Sequence, residues 1–406
     1  MNDFNIKPSS SLDQVRYEIR GDLSRRAHEL ERQGYEVTHL NIGNPSRFGF
    51  RTPETMRLAM IENMSLSEGY EHQKGIFPAR EAVVMQQQNR GVMDVTADDV
   101  FIGNGVSELI DLTLRALLEP GDEVLVPSPD YPLWTAAVIL NRGKAVHYDC
   151  PEEKGFMPDL ASIEARITAK TRAIVVINPN NPTGSVYDKQ TLLQIAQLAE
   201  KHKLIVFSDE IYDQVLFPGA TFTPMATLVQ DTLCATFSGL SKAYRACGYR
   251  VGWVVYSGNR ECAAEYIRGV ELLSALRLCS NVPGQWAIQT ALGGYQSIND
   301  LMAPGGRLYE SREAVVTGIE KSEFLSVVKP AGAMYAFPSF DTSQLKNYSD
   351  ESFAMELLER EKILLVPGTS FNFSPNNHFR ITLLPEADTM TRVLGKIEKL
   401  LEEKAV

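Results

Sequence analysis

A lysine in a loop of small residues is the first place in this sequence where covalent chemistry could sit. The run Ser238-Gly239-Leu240-Ser241-Lys242 follows an apolar stretch, and eight residues after the lysine come Arg250 and Val251-Gly252-Trp253. An amine placed this way can condense with an aldehyde cofactor, because burial and neighbouring cations favour its neutral, nucleophilic form. Hydroxyls and a guanidinium close by suit an anchored phosphate.

Three further strings fall after apolar runs. Asp209, in Phe207-Ser208-Asp209-Glu210-Ile211-Tyr212, would sit at a strand's carboxyl end, where open parallel sheets bind ligands. A buried acid there can hold the proton on a pyridine nitrogen and make the ring an electron sink, with Tyr212 in reach of a ring hydroxyl. Asn178-Pro179-Asn180-Asn181-Pro182-Thr183-Gly184 forms a turn that offers the Asn181 amide to a cofactor oxygen. Gly103-Asn104-Gly105-Val106-Ser107-Glu108 joins a strand to a helix, and its small residues let backbone N–H groups approach an anion. Glu108 stands where a dinucleotide site would need its third glycine. Taken singly, each string has an ordinary reading: a surface lysine, a solvated acid, a bare turn, a plain strand-to-helix connection. Together they supply four different requirements of one cofactor.

The elements that must position these residues are legible too. From about Phe101 to Tyr256 short apolar runs alternate with helical periodicity. Strand-like pieces are Val100–Ile102, Val124–Val126, Ala145–Tyr148, Ala173–Ile177, Leu204–Ser208, Leu233–Thr236 and Val251–Tyr256, with helical patterns such as Ser107–Leu118 and Lys189–His202 between them. This predicts an α/β domain with a mostly parallel sheet covered on both faces. The amino-terminal part carries a helix at Asp22–Gln33 and a strand at Val37–Ile42. The last hundred residues predict helices at Arg307–Lys321, Glu351–Glu359 and Ala387–Leu401, and strands at Ala333–Phe337, Ile363–Val366 and Phe379–Leu383. That is a smaller α+β domain.

Bulk properties narrow the function. The 406 residues, 44% hydrophobic and 22% charged, describe a globular protein of more than one domain. A net charge of -11 disfavours nucleic acid and anionic membranes, while leaving small anionic substrates open. The five scattered cysteines form no C-x-x-C pair and the six histidines no H-E-x-x-H, so neither a disulfide framework nor a metal is expected. No signal peptide or apolar span is visible, and a cytoplasmic location is expected.

From about Tyr17 to the carboxyl terminus the chain resembles the fold-type I aminotransferases, most of all bacterial enzymes of the glutamate–pyruvate type. Leu40-Asn41-Ile42-Gly43-Asn44-Pro45, Asp130-Tyr131-Pro132-Leu133-Trp134 and Arg277-Leu278-Cys279-Ser280-Asn281-Val282-Pro283 add to the match. The resemblance implies a seven-stranded large domain at 49–298 and a small domain from both chain ends, 1–48 and 299–406. It implies pyridoxal 5'-phosphate on Lys242, with Asp209 on the pyridinium, Asn181 and Tyr212 on the ring hydroxyl oxygen, and Tyr131 on the ring face. Gly105, Val106, Ser107, Ser241 and Arg250, with Ser238 as a further contact, would hold the phosphate. Tyr70 would reach the phosphate of a neighbouring subunit, so a homodimer is expected. Arg380, with Gly43 and Asn181, would bind the substrate carboxylate, and Tyr17 and Arg20 would close over it.

The implied reaction moves the amino group of alanine to 2-oxoglutarate, reversibly and with ping-pong kinetics. Another donor such as valine, or a β-lyase of the same fold, remains open, since one methylene is worth only about 1–3 kcal/mol of discrimination. A ligand-sensing regulator and a nicotinamide-dependent dehydrogenase are the rivals outside this chemistry. Three residues depart from the family pattern: Asp22 where proline is frequent, bulky Arg245 where a small residue is usual, and Arg277, one residue out of step with the side-chain-binding arginine of aspartate-specific relatives.

Overall fold

The alternation of apolar runs and helices builds a seven-stranded sheet. The computed structural model of the chain describes residues 6–17, 19, 21–345 and 348–405. The strands lie in the order Val100–Gly103, Gly252–Gly258, Leu233–Gly239, Ile205–Asp209, Thr171–Ile177, Glu123–Ser128, Lys144–Asp149. All are parallel except Gly252–Gly258, which runs against both its neighbours. Each of the seven strands expected from the sequence forms, within three residues of its expected ends.

Both faces are covered because successive side chains alternate between two apolar clusters. Ala173, Val175 and Ile177 enter one with Phe207, Phe237 and Trp134. Ile174 and Val176 enter the other with Val206, Cys234 and Val255. The consequence for function is directional. The parallel strands deliver Gly105, Tyr131, Asn181, Asp209 and Lys242 to one edge of the sheet, and the reversed strand starts there, just after Arg250.

The remaining residues differ from expectation in instructive ways. The helices at Asp22–Arg32, Arg307–Glu320, Asp350–Glu361 and Ala387–Glu402 form as expected. The strand expected at Val37–Ile42 shrinks to Thr38–His39, which pairs with Ile363–Leu364. Downstream, the carbonyl of Asn41 accepts from Arg380 and that of Gly43 from Lys242, so side chains take the place of a neighbouring strand. Ile363–Val366 divides at Leu365, because its two halves pair with different partners: Val366–Pro367 joins Phe379–Arg380. Ala333–Phe337 keeps only Tyr335–Ala336 as strand, paired with Ile381–Thr382. Among the described residues, no helix is long and apolar enough to cross a membrane and no cluster of three metal-binding side chains occurs.

Candidate active site

A cavity of about 600 Å3 opens at the strand ends, and Lys242, Asp209 and Arg380 all line it. The Lys242 amine donates to the Gly43 carbonyl at 2.9 Å and lies 5.9 Å from the centre of the Tyr212 ring. Position 43 needs glycine, since a Cβ there would overlap the Tyr335 hydroxyl.

Asp209 is buried at the floor. One carboxylate oxygen accepts from the Trp134 indole N–H at 3.0 Å and the other only from the Ile211 amide at 3.4 Å. Burial pushes its pKa up, opposed by the Trp134 hydrogen bond and by the charge of Lys242. A desolvated acid with a weakly met oxygen is matched to a cationic N–H partner. Tyr212 and Tyr335 bond through their hydroxyls at 3.0 Å. Burial raises both phenols, but Lys242 and Arg380 outweigh it for Tyr335, which is held below its usual pKa, and Tyr212 donates the bond.

At one end of the cavity the helix Val106–Leu117 begins without a side-chain cap, and Val106, Ser107, Ser241 and Arg250 line the wall. Gly105, with φ 83° and ψ 164°, sits in backbone space that essentially only glycine reaches. A Cβ on it would strike the Arg250 guanidinium, and one on Gly252 would come 2.6 Å from the Val106 amide. Uncapped amides, hydroxyls and a guanidinium that among the described residues bonds only the Cys247 and Asn104 carbonyls form an anion cradle.

At the other end Arg380 is almost completely buried. It donates to Asn181 Oδ1 at 2.9 Å and to the Asn41 carbonyl, and it lies between the Tyr335 and Phe371 rings at 4.3 and 4.7 Å, while its Nε has no acceptor. A buried, unneutralised guanidinium is a carboxylate site. Tyr17 and Tyr131 close one side through a 3.1 Å hydroxyl contact, and the neighbouring Ile19 is buried in one apolar cluster with Phe337 and Phe371.

Amine, acid, anion cradle and carboxylate grip thus share one cavity, which fits a phosphorylated pyridine aldehyde beside a small amino acid. Residues 35–397 match the family described as aminotransferase class I and II. The chain belongs to that family. Glutamate-pyruvate aminotransferase AlaA of Escherichia coli is 50% identical to this aminotransferase over 396 residues, covering 98% of both chains. An alanine aminotransferase of Mycobacterium tuberculosis is 47% identical over 394 residues, 97% of this chain and 92% of the relative. A crystal structure of an aminotransferase from Escherichia coli superposes with a TM-score of 0.96 at 49% identity, covering 98% of each chain.

Of the sequence candidates in this aminotransferase, Gly43, Asn181, Tyr17, Tyr131, Tyr212, Val106, Ser107, Ser241 and Arg250 also line the cavity, with Gly105 behind Arg250. Ser238 is not among the cavity-lining residues, and its hydroxyl lies 3.5 Å from the Glu210 carbonyl and from Asp213. Tyr70 is 80% exposed and does not line the cavity. Arg20 lies outside the described residues. Arg277 is held by Glu108 at 3.3 Å and takes no part in the cavity. Sequence reasoning missed the roles of Trp134, Tyr335 and Phe371. No spacing signals them: Trp134 meets Asp209 across 75 positions and Tyr335 meets Tyr212 across 123, while Phe371 reaches Arg380 only through the packing of the chain between them.

Proposed function

We propose that this chain is a pyridoxal 5'-phosphate-dependent alanine aminotransferase, transferring the amino group of L-alanine to 2-oxoglutarate to give pyruvate and L-glutamate, reversibly. The observation that carries the reading is the meeting of the Lys242 amine, the Asp209 carboxylate and the Arg380 guanidinium in one cavity. The alanine, glutamate and pyruvate come from the names of the relatives at 50% and 47% identity.

The cofactor, when bound, supplies a ring that withdraws electrons from the substrate Cα. Lys242 would carry it and then move the proton at Cα. Asp209 would keep the ring nitrogen protonated, its ionised form stabilised by Trp134. Asn181 and Tyr212 would bond the ring hydroxyl oxygen, and Tyr131 would cover the ring face. Gly105, Val106, Ser107, Ser241 and Arg250 would hold the phosphate. Arg380, with Asn181 and the Gly43 backbone, would fix the substrate carboxylate so that the Cα–H bond is aligned for cleavage. Tyr17 and Arg20 would close over it and exclude water.

The same reading includes a cytoplasmic homodimer. Leu66, Tyr70, Phe77, Leu272 and Leu276 are each more than half exposed, an apolar surface that a second copy would cover, bringing Tyr70 to the neighbouring phosphate. It also retains the division into an amino-terminal arm at 1–48, a large domain at 49–298 and a small domain at 299–406, supported by the pairing of Thr38–His39 with Ile363–Leu364.

The test is a half-reaction. Holoenzyme mixed with L-alanine and no acceptor should lose its aldehyde absorbance and release one pyruvate per subunit; adding 2-oxoglutarate should restore the absorbance and yield glutamate. Ammonia release without that recovery would mean a lyase. Faster discharge by valine would overturn the donor, and purified protein that takes up no cofactor would overturn the reading altogether.

A further inference from the structure

Asp130 is completely buried, lines no part of the catalytic cavity, and among the described residues its carboxylate is met by Thr135 and Asn372 rather than by a basic side chain. It follows the strand Glu123–Ser128 and immediately precedes Tyr131. Its backbone amide donates to the Phe371 carbonyl at 3.0 Å. One carboxylate oxygen accepts from the Asn372 amide at 2.8 Å, and the other from the Thr135 hydroxyl at 2.6 Å. The Ser128 hydroxyl adds a bond to the Asn372 carbonyl at 2.7 Å. Three of these four bonds join residues 128–130 to 371–372, segments about 240 positions apart in the chain.

The two segments clasped in this way carry different parts of the site. Tyr131 is on the cavity wall. Phe371 packs its ring 4.7 Å from the Arg380 guanidinium. Asn372 has φ 53°, a left-handed conformation, which allows its side chain to turn back onto Asp130. A buried carboxylate is costly unless its oxygens are met, and a clasp of three hydrogen bonds is a geometry-setting use of that cost.

We propose that Asp130 is a positioning residue: through Asn372 and Phe371 it sets the distance between the cofactor-facing Tyr131 and the Arg380 carboxylate grip. This rests on the aminotransferase reading, in which a substrate held by Arg380 must present its Cα–H bond to Lys242 while Tyr131 covers the ring. Slack in the clasp would let the grip drift relative to the ring, and misplacement by about 1 Å can cost as much as 100-fold in rate.

The test uses Asn372→Gly, because glycine adopts φ 53° without strain and removes only the side-chain bond. Asp130→Asn, which keeps the volume, is its companion. Two measurements separate positioning from general damage. Calorimetric titration of propionate into the cofactor-free protein reads the carboxylate grip without turnover. Single-turnover half-reactions of the holoenzyme compare L-alanine with ethylamine, which has no carboxylate for Arg380 to hold. The expected result is propionate binding and the alanine rate each falling about 10- to 100-fold, with the ethylamine rate, cofactor affinity and melting temperature unchanged. Equal loss with both amines, or loss with neither, overturns the proposal. If the wild type releases no pyruvate from alanine, the aminotransferase reading fails, while propionate titration still reports on the clasp.

Discussion

Trp134 shows how much at the residue scale depends on a partner distant in sequence. Its indole N–H is the one strong donor to Asp209, and its ring packs 5.8 Å from Phe207 and 5.3 Å from Phe237. Trp134→Phe keeps the packing and removes the donor. A hydrogen bond to a charged group contributes about 1.5–3 kcal/mol, so the alanine half-reaction should slow about 10-fold or more. Arg380→Lys loses the planar fork and should lower kcat/KM for alanine about 100-fold, again with cofactor affinity unchanged. Glu210, next to Asp209, gives a pH prediction. It is buried with one oxygen lacking a partner, and burial pushes its pKa from 4.5 to about 7. A carboxyl whose native pKa lies above its unfolded one stabilises the fold at low pH, and that contribution is lost as pH rises through about 7. The stability of the wild type relative to Glu210→Gln should therefore fall by about 3 kcal/mol at most between pH 4.5 and 7.5, measured by denaturant titration.

At the scale of the element, the strand ends do the positioning. Asp209, Asn181 and Lys242 could be placed from sequence because each follows an apolar run whose burial on both faces requires a strand, and parallel strands share an edge. The uncapped start of Val106–Leu117 depends on one backbone conformation. Gly105→Ala would force a side chain into space that costs about 1–3 kcal/mol to occupy and drive it against Arg250. Cofactor affinity should fall about 10-fold, read by equilibrium dialysis, with little change in helix content. Ser238 and the cavity-lining Ser241 belong to one short string, and only the tertiary structure separates them: Ser238 is still in the strand Leu233–Gly239, beside Asp213, whereas Ser241 lies in the turn beyond it. The strand at Val37–Ile42 was overextended for a related reason. Its apolar pattern is genuine, but two of its carbonyl neighbours serve arginine and lysine side chains.

At the scale of the whole molecule, the apolar surface around Tyr70 makes an assembly prediction. The wild type should sediment as a dimer. Leu276→Glu, which puts a charge on a side chain 74% exposed in the monomer, should shift it towards monomers and reduce activity in proportion to the dimer lost. Activity that persisted in a fully monomeric variant would remove Tyr70 from the site. The fold itself was the most legible feature at this scale, since seven short, almost wholly buried apolar runs alternating with helices leave few alternatives to a sheet covered on both faces.

By itself, the sequence determined which chemistries were available and where the sheet strands run, because both are written in short strings: a lysine among small residues, an acid at a strand exit, short unbroken apolar runs. The tertiary structure alone decided which distant residues complete them. Lys242 meets Gly43 and Arg380 meets Asn181, each 199 positions away, and Asp130 meets Asn372 across 242. Such pairings depend on how whole elements pack, and local periodicity carries no information about which far segment will arrive opposite a given side chain.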